Sequence, residues 1–186
     1  FHVEAMERVE HPRRAMIDGQ IEDIEQVARV AGQVKQRLEA ATGRMLDTVA
    51  VAAAGRALTT CRASAKLDIP GGVVAPRTVF ELENSAVNEA HRLLDQQDGA
   101  DAGLSARQTD ATKYFCVGHS VVHYHIDGYP FASILDHRGE VAEVEIIATF
   151  LPTEVVNSLR RCTGLLGLSI ETLTPAPIAA MLAVIP

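Results

Sequence analysis

The sequence predicts an α+β fold in which a small mixed module is inserted into a larger α/β domain. Segments with strand, helix, strand and strand patterns follow one another in the middle of the chain, at 58–69, 78–97, 114–126 and 141–151. A helix and a strand precede this stretch, and a helix, a strand and a second helix follow it. These patterns divide the chain into three parts, 1–57, 58–151 and 152–186.

The first part is predicted to hold one long helix and one strand. Asp23 is a suitable N-cap and Gln26 lies three residues later, as in a capping box. Apolar residues then recur at helical spacing through Ile24–Thr42, and Gly43 is a suitable helix end. The small apolar residues of Thr48–Ala54 indicate a strand buried on both faces.

The middle part begins with a predicted strand, Leu58–Ile69, which Pro70-Gly71-Gly72 is expected to end. Thr78 and Glu81 have capping-box spacing and predict a second helix that ends near Gln97. The polar stretch 98–112 is predicted to be mobile.

Two further strands complete this part. Tyr114–Ile126 is rich in β-forming residues, and Asp127-Gly128 predicts a turn into a returning segment, Tyr129–Ser133. Val141–Leu151 is a long apolar strand. Glu143 and Glu145 alternate with apolar residues in it, which places both carboxylates on its solvent face.

The last part predicts a helix from Thr153, a strand at Leu168–Leu173 and, after Pro175-Ala176-Pro177, an apolar helix over 178–186. The chain starts at Phe1 instead of Met and stops at Pro186 directly after this apolar run. We therefore expect it to be a piece of a longer protein, whose remainder covers the last helix.

Composition excludes several classes of protein. Acidic residues number 24 and basic residues 17, a net charge of −7, which argues against nucleic acid as a partner. The three cysteines are far apart and odd in number, which predicts reduced thiols in the cytoplasm instead of disulfides or a zinc knuckle. No apolar run is long enough to span a membrane, so we expect no membrane contact by this chain.

Four stretches, taken in order, resemble the FtsA-type proteins of bacterial cell division, which are relatives of actin. The first leads into the long helix, the second is the small apolar strand and its turn, the third closes the middle part, and the fourth leads out of it. They are Ile17–Ile24, Val49–Gly55, Val121–Gly128 with Asp136–Val144, and Ile147–Pro152 with Thr174–Ala180.

This resemblance implies that 58–151 is an SHS2 (strand-helix-strand-strand) module, called domain 1C in the family. Residues 1–57 and 152–186 would then be parts of subdomain 1A, an actin-like (ribonuclease H-like) α/β subdomain. The implied function is protein–protein interaction during septal ring assembly or membrane attachment of FtsZ. The implied partners are other subunits of the same protein and division proteins such as FtsZ. The parent protein would act in the cytoplasm, at the inner face of the cell membrane.

The family holds ATP and Mg with two Asp-x-Gly-x-x-Thr/Ser loops, and neither loop occurs in this sequence. We therefore expect no cofactor and no enzymatic activity in this chain, although the parent is an ATP-binding ATPase candidate by resemblance. No catalytic, cofactor-binding or metal-binding residue is predicted. Val49–Gly55 and Thr174–Ala180 are expected to border the nucleotide cleft of the complete protein.

Two alternative functions stay open. A PilM-like actin homologue of pilus assembly has a similar insert. A metal-binding domain is the other alternative, because His119, His123 and His125 occupy odd positions of one predicted strand and imidazole is a common metal ligand. Exposed polar positions explain these histidines more simply. Cys116 and Cys162 are predicted to pack in the core, where free cysteine acts as a small hydrophobic residue.

Overall fold

The structure is a computed structural model that describes residues 2–11, 14–101 and 113–184. The fold is mixed α+β. In chain order the elements are β1 (Met16–Ile17), β2 (Gln20–Ile21), α1 (Ile24–Thr42), β3 (Thr48–Ala53), β4 (Thr59–Val73), α2 (Pro76–Asp101), β5 (Tyr114–Ile126), β6 (Tyr129–Phe131), β7 (Arg138–Pro152), α3 (Thr153–Leu165), β8 (Ser169–Pro175) and α4 (Ala176–Val184).

The chain forms two compact units. Unit 1 consists of Phe1–Leu58 and Leu151–Pro186, and unit 2 consists of Thr59–Phe150. The boundaries predicted from the sequence lie beside these positions. The assignment of the two units to named subdomains of a family stays a prediction.

In unit 1, a tight hairpin leads into the first helix. β1 and β2 are joined by Asp18 and Gly19, whose φ angles of 51° and 83° fit the two-residue turn that matches strand twist. The Asp23 carboxylate accepts the Gln26 N–H at 2.9 Å and so caps α1. The helix ends at Gly43, which has a left-handed φ of 67°. Both helix signals of the sequence are confirmed.

A parallel pair of strands, β3 and β8, forms a second two-stranded sheet in unit 1. The helices α1 and α3 contact each other, and their small core includes Ala15, Val27, Ala28 and Cys162. The prediction that β3 is buried on both faces is wrong for the described residues, because only Ala53 of this strand is buried. Within the described part of the chain, β3 has one neighbouring strand, β8, and little helix packed over it, so most of its side chains keep contact with solvent.

In unit 2, α2 packs against β4 and β5 of a four-stranded sheet with the order β4-β7-β5-β6. β4 and β7 run antiparallel, from Thr59 opposite Phe150 to Val73 opposite Arg138. The core between helix and sheet is apolar, and its fully buried members include Leu82, Ala86, Val144, Ile146 and Phe150.

The end predicted for the first strand of unit 2 is wrong. β4 continues to Val73 through an irregularity between Asp68 and Gly72. Gly71 has a φ of 61°, which lets the chain bulge and then rejoin β7. Glycine and proline therefore bend this strand without ending it.

The predicted start of α2 also needs correction. The helix begins at Pro76, whose fixed φ suits a first helical position, so Thr78 lies inside the helix and does not cap it. Glu81 instead accepts a hydrogen bond from the Arg77 guanidinium at 2.7 Å. The helix also extends to Asp101, into the stretch predicted to be mobile, and the rest of that stretch, 102–112, lies outside the described residues.

The last helix, α4, has no buried residue, and Met181, Leu182 and Val184 are each more than half exposed. Its apolar character is as predicted from the sequence. Over the ranges that the structure describes, no helix combines the length and the apolar character needed to cross a membrane.

Candidate interaction surface

A polar cluster joins α2 to β5 in unit 2. The Glu83 carboxylate, on α2, accepts a hydrogen bond from the Tyr124 hydroxyl and lies 3.0 Å from Nε2 of His119. All three side chains are partly shielded from solvent. Because hydrogen bonds to a carboxylate are stronger than neutral ones, this cluster fixes the helix on the strand.

The cluster shows that side chains of β5 do not alternate regularly. His119 and Tyr124 are five residues apart, so a regular strand would place them on opposite faces, yet both reach Glu83. The alternation therefore switches between them. His123 and His125, the neighbours of Tyr124, lie together on the other face, with ring centroids 6.2 Å apart.

This switch contradicts the predicted row of three imidazoles. Among the described residues, no three His, Cys, Asp or Glu side chains come close enough together to hold a metal ion. His119 is instead engaged with Glu83, so the geometry does not support the metal-binding alternative.

The contribution of Tyr124 to the stability of the fold should decrease at alkaline pH. Partial burial and the hydrogen bond to Glu83 raise the pKa of Tyr124 above its ordinary value. A tyrosine with a raised pKa in the folded state stabilises the fold fully below pH about 10, and this contribution declines as the pH rises further. We expect Tyr124→Phe to lose about 1–2 kcal/mol of unfolding free energy at pH 7. Urea denaturation should show a smaller difference between the two proteins above pH 10, and a constant difference would contradict the assignment.

Two further aromatic residues are neighbours of the cluster members, Phe80 on α2 and Phe131 on β6. Phe80 lies one helical turn before Glu83 on the same side of α2, and its side chain is 67% exposed. Across from it, Tyr124 pairs with Phe131 on β6, and a shallow pocket of about 360 Å³ opens where β6 ends. We call this region the β5 surface, and it comprises Phe80, Glu83, His119, Tyr124 and Phe131.

The β5 surface has the composition of a binding site for another protein. The chain contains only 3 Tyr and 5 Phe and no Trp. Three of these residues, Phe80, Tyr124 and Phe131, belong to the β5 surface. Exposed aromatic residues beside partly buried polar groups are typical of the residues that dominate protein–protein binding energy. The sequence prediction did not include this surface, because its residues lie far apart in the chain.

Other candidate residues have structural roles. Glu143 and Glu145 lie on the solvent face, as predicted, and form ion pairs with Lys66 at 3.1 Å and Arg62 at 2.5 Å. Burial raises the pKa of the Cys116 and Cys162 thiols, as it does that of Cys61. A raised pKa lowers the fraction of reactive thiolate, so these cysteines are suited to packing.

In unit 1, the structure brings together the two segments predicted to border a nucleotide. Ala53 at the end of β3 lies opposite Pro175 at the end of β8. Ligands of α/β sheets usually bind outside the carboxyl ends of parallel strands. The Asp18-Gly19 turn packs tightly on Gly55 at this same edge. The segments supply mostly small side chains and backbone, and their role at a nucleotide stays a prediction.

Comparisons with known proteins place the fold. No protein-family model and no curated protein matches the chain. Among solved structures, a chain of a PilM-PilN type IV pilus biogenesis complex is similar, with 13% identity and a TM-score of 0.55. The match covers 92% of this chain and 40% of that chain, so this chain spans less than half the length of its structural neighbour.

At this identity the likeness concerns the fold alone. It supports the mixed α+β fold class that the sequence predicts. It assigns this chain no role, either in cell division or in pilus assembly. The chain has a mixed α+β fold similar to part of one chain of the PilM-PilN complex.

Proposed function

We propose that this chain is the protein-interaction portion of an actin-like, PilM-like protein of type IV pilus assembly. The likeness to a chain of the PilM-PilN complex over 92% of this chain carries the proposal. It replaces the cell-division role as the preferred function, because the comparisons give that role no support.

Unit 2 is the part that binds other proteins. Its main elements follow the order strand, helix, strand and strand (β4, α2, β5 and β7), with the short β6 between the last two, and this order supports its assignment as an SHS2 module. The partner is a PilN-type subunit of the pilus machinery, which would hold the parent protein at the cytoplasmic side of the membrane. The β5 surface, with exposed Phe80 beside the Glu83–Tyr124 pair, supplies the apolar anchor and polar groups that such binding needs.

The parent protein binds Mg-ATP next to unit 1. The adjoining ends of β3 and β8 support this proposal. Both phosphate loops are absent from this sequence, so this chain alone lacks the groups that bind the phosphates. The residues described here would border the nucleotide, and no step of ATP hydrolysis is assigned to them.

Deletion of the parent gene tests the proposed function. We expect cells that lose surface pili and keep a normal length, as judged by electron microscopy of negatively stained cells. Long cells without septa and with normal pili would contradict the proposal and restore the cell-division role.

A further inference from the structure

Among the described residues, β4 is the longer of the two edge strands of the unit 2 sheet. β4 spans Thr59–Val73 at one end of the sheet, whereas β6, at the other end, has only three residues and contains Pro130. Short edge strands with proline resist pairing with another chain, because proline cannot donate a backbone hydrogen bond. The pairing of β4 with β7 is regular from Thr59 to Asp68, before the irregularity that ends at Gly72.

The solvent face of this stretch carries three charged side chains. Arg62 and Lys66 are ion-paired with Glu145 and Glu143 of β7, but their side chains remain 59% and 67% exposed. Asp68 is exposed and makes no ion pair with any residue that the structure describes. The edge therefore holds cations toward one end and one unpaired anion at the other.

This arrangement is complementary to itself. If a second β4 lies antiparallel to the first with Ala65 opposite Ala65, then Arg62 of each copy lies opposite Asp68 of the other. The two-fold axis produces this pair twice. On the other face, Ala63 lies opposite Leu67, so apolar side chains continue the core across the joint.

We propose that two copies of this chain associate through antiparallel pairing of their β4 edges, forming one continuous eight-stranded sheet. A second copy is the occupant because this alignment pairs the otherwise unpaired Asp68 with an exposed cation. This inference is independent of the proposed pilus function, which concerns residues of α2, β5 and β6.

A charge-swap series on the full 186-residue chain tests the dimer. Sedimentation equilibrium should show a monomer–dimer equilibrium for the unaltered chain. Arg62→Asp and Asp68→Arg should each weaken dimerisation about tenfold or more, because each places like charges opposite one another twice. The double variant restores opposite charges and should recover dimerisation.

Lys66→Glu is the matched control. Lys66 lies opposite an uncharged Ser64 in this alignment, so this substitution should change dimerisation little. Urea denaturation of each variant checks that the fold is intact. A chain that stays monomeric at every concentration would overturn the proposal. So would a folded double variant that dimerises no better than the single variants.

Discussion

Replacement of Phe150 by Ala is expected to destabilise unit 2 by about 3–5 kcal/mol, since it removes a large side chain from a closed core. Phe150 is 0% exposed and belongs to the core between α2 and the sheet. Its ring meets the edge of the His91 imidazole at a centroid distance of 5.2 Å. Because small domains have only about 5–15 kcal/mol of stability, this loss is a large part of the total.

Urea denaturation followed by circular dichroism measures this effect. Phe80→Ala is the control, because it makes the same chemical change at a side chain that is 67% exposed and in the same unit. We expect Phe80→Ala to change the unfolding free energy by less than about 1 kcal/mol. Equal losses for the two variants would contradict the packing described for unit 2.

Replacement of Gly19 by Ala is expected to destabilise unit 1 by about 2–5 kcal/mol. The added methyl group would lie 2.4 Å from the Ala54 carbonyl oxygen, too close for any real contact. The φ of 83° is also unfavourable for a residue with a side chain. The clash is with backbone, which cannot move away as a flexible side chain can.

Two glycine positions separate the clash from the backbone penalty. Gly128 has the same φ of 83° in the equivalent turn of unit 2, and Gly43 has a φ of 67° in unit 1. At both positions, no atom lies within 4 Å of an added methyl group. Ala at these positions should cost only about 1–2 kcal/mol. Thermal or urea unfolding that finds all three variants equally stable would contradict the tight packing of the Asp18-Gly19 turn on Gly55.

Local signals in the sequence predicted local structure well. The N-cap at Asp23, the end of α1 at Gly43 and the Asp127-Gly128 turn depend on neighbouring residues, and all three are present. Two local signals led to wrong predictions of where an element begins or ends. Pro76 starts α2 before Thr78 can cap it, and Gly71 allows β4 to bulge where a break was predicted.

The candidate surface could not be predicted in this way, because its contacts join residues far apart in the chain. Glu83 and Tyr124 are separated by 41 positions, and the switch in side-chain direction along β5 becomes apparent only when both His119 and Tyr124 are seen to reach Glu83. Strict alternation therefore placed the three histidines on one face. Burial of β3 was overestimated for a related reason, since a small apolar strand does not specify which neighbours cover it.

Excision of unit 2 from the parent protein tests the central claim most directly. Thr59 and Phe150 are cross-strand partners, so a short Gly-Ser linker can replace the residues between them. In cells that lack the parent gene, the complete gene should restore surface pili. The excised protein should accumulate to a similar level and fail to restore them, because the partner-binding unit is missing. Full restoration of pili by the excised protein would show that unit 2 does not carry the interaction.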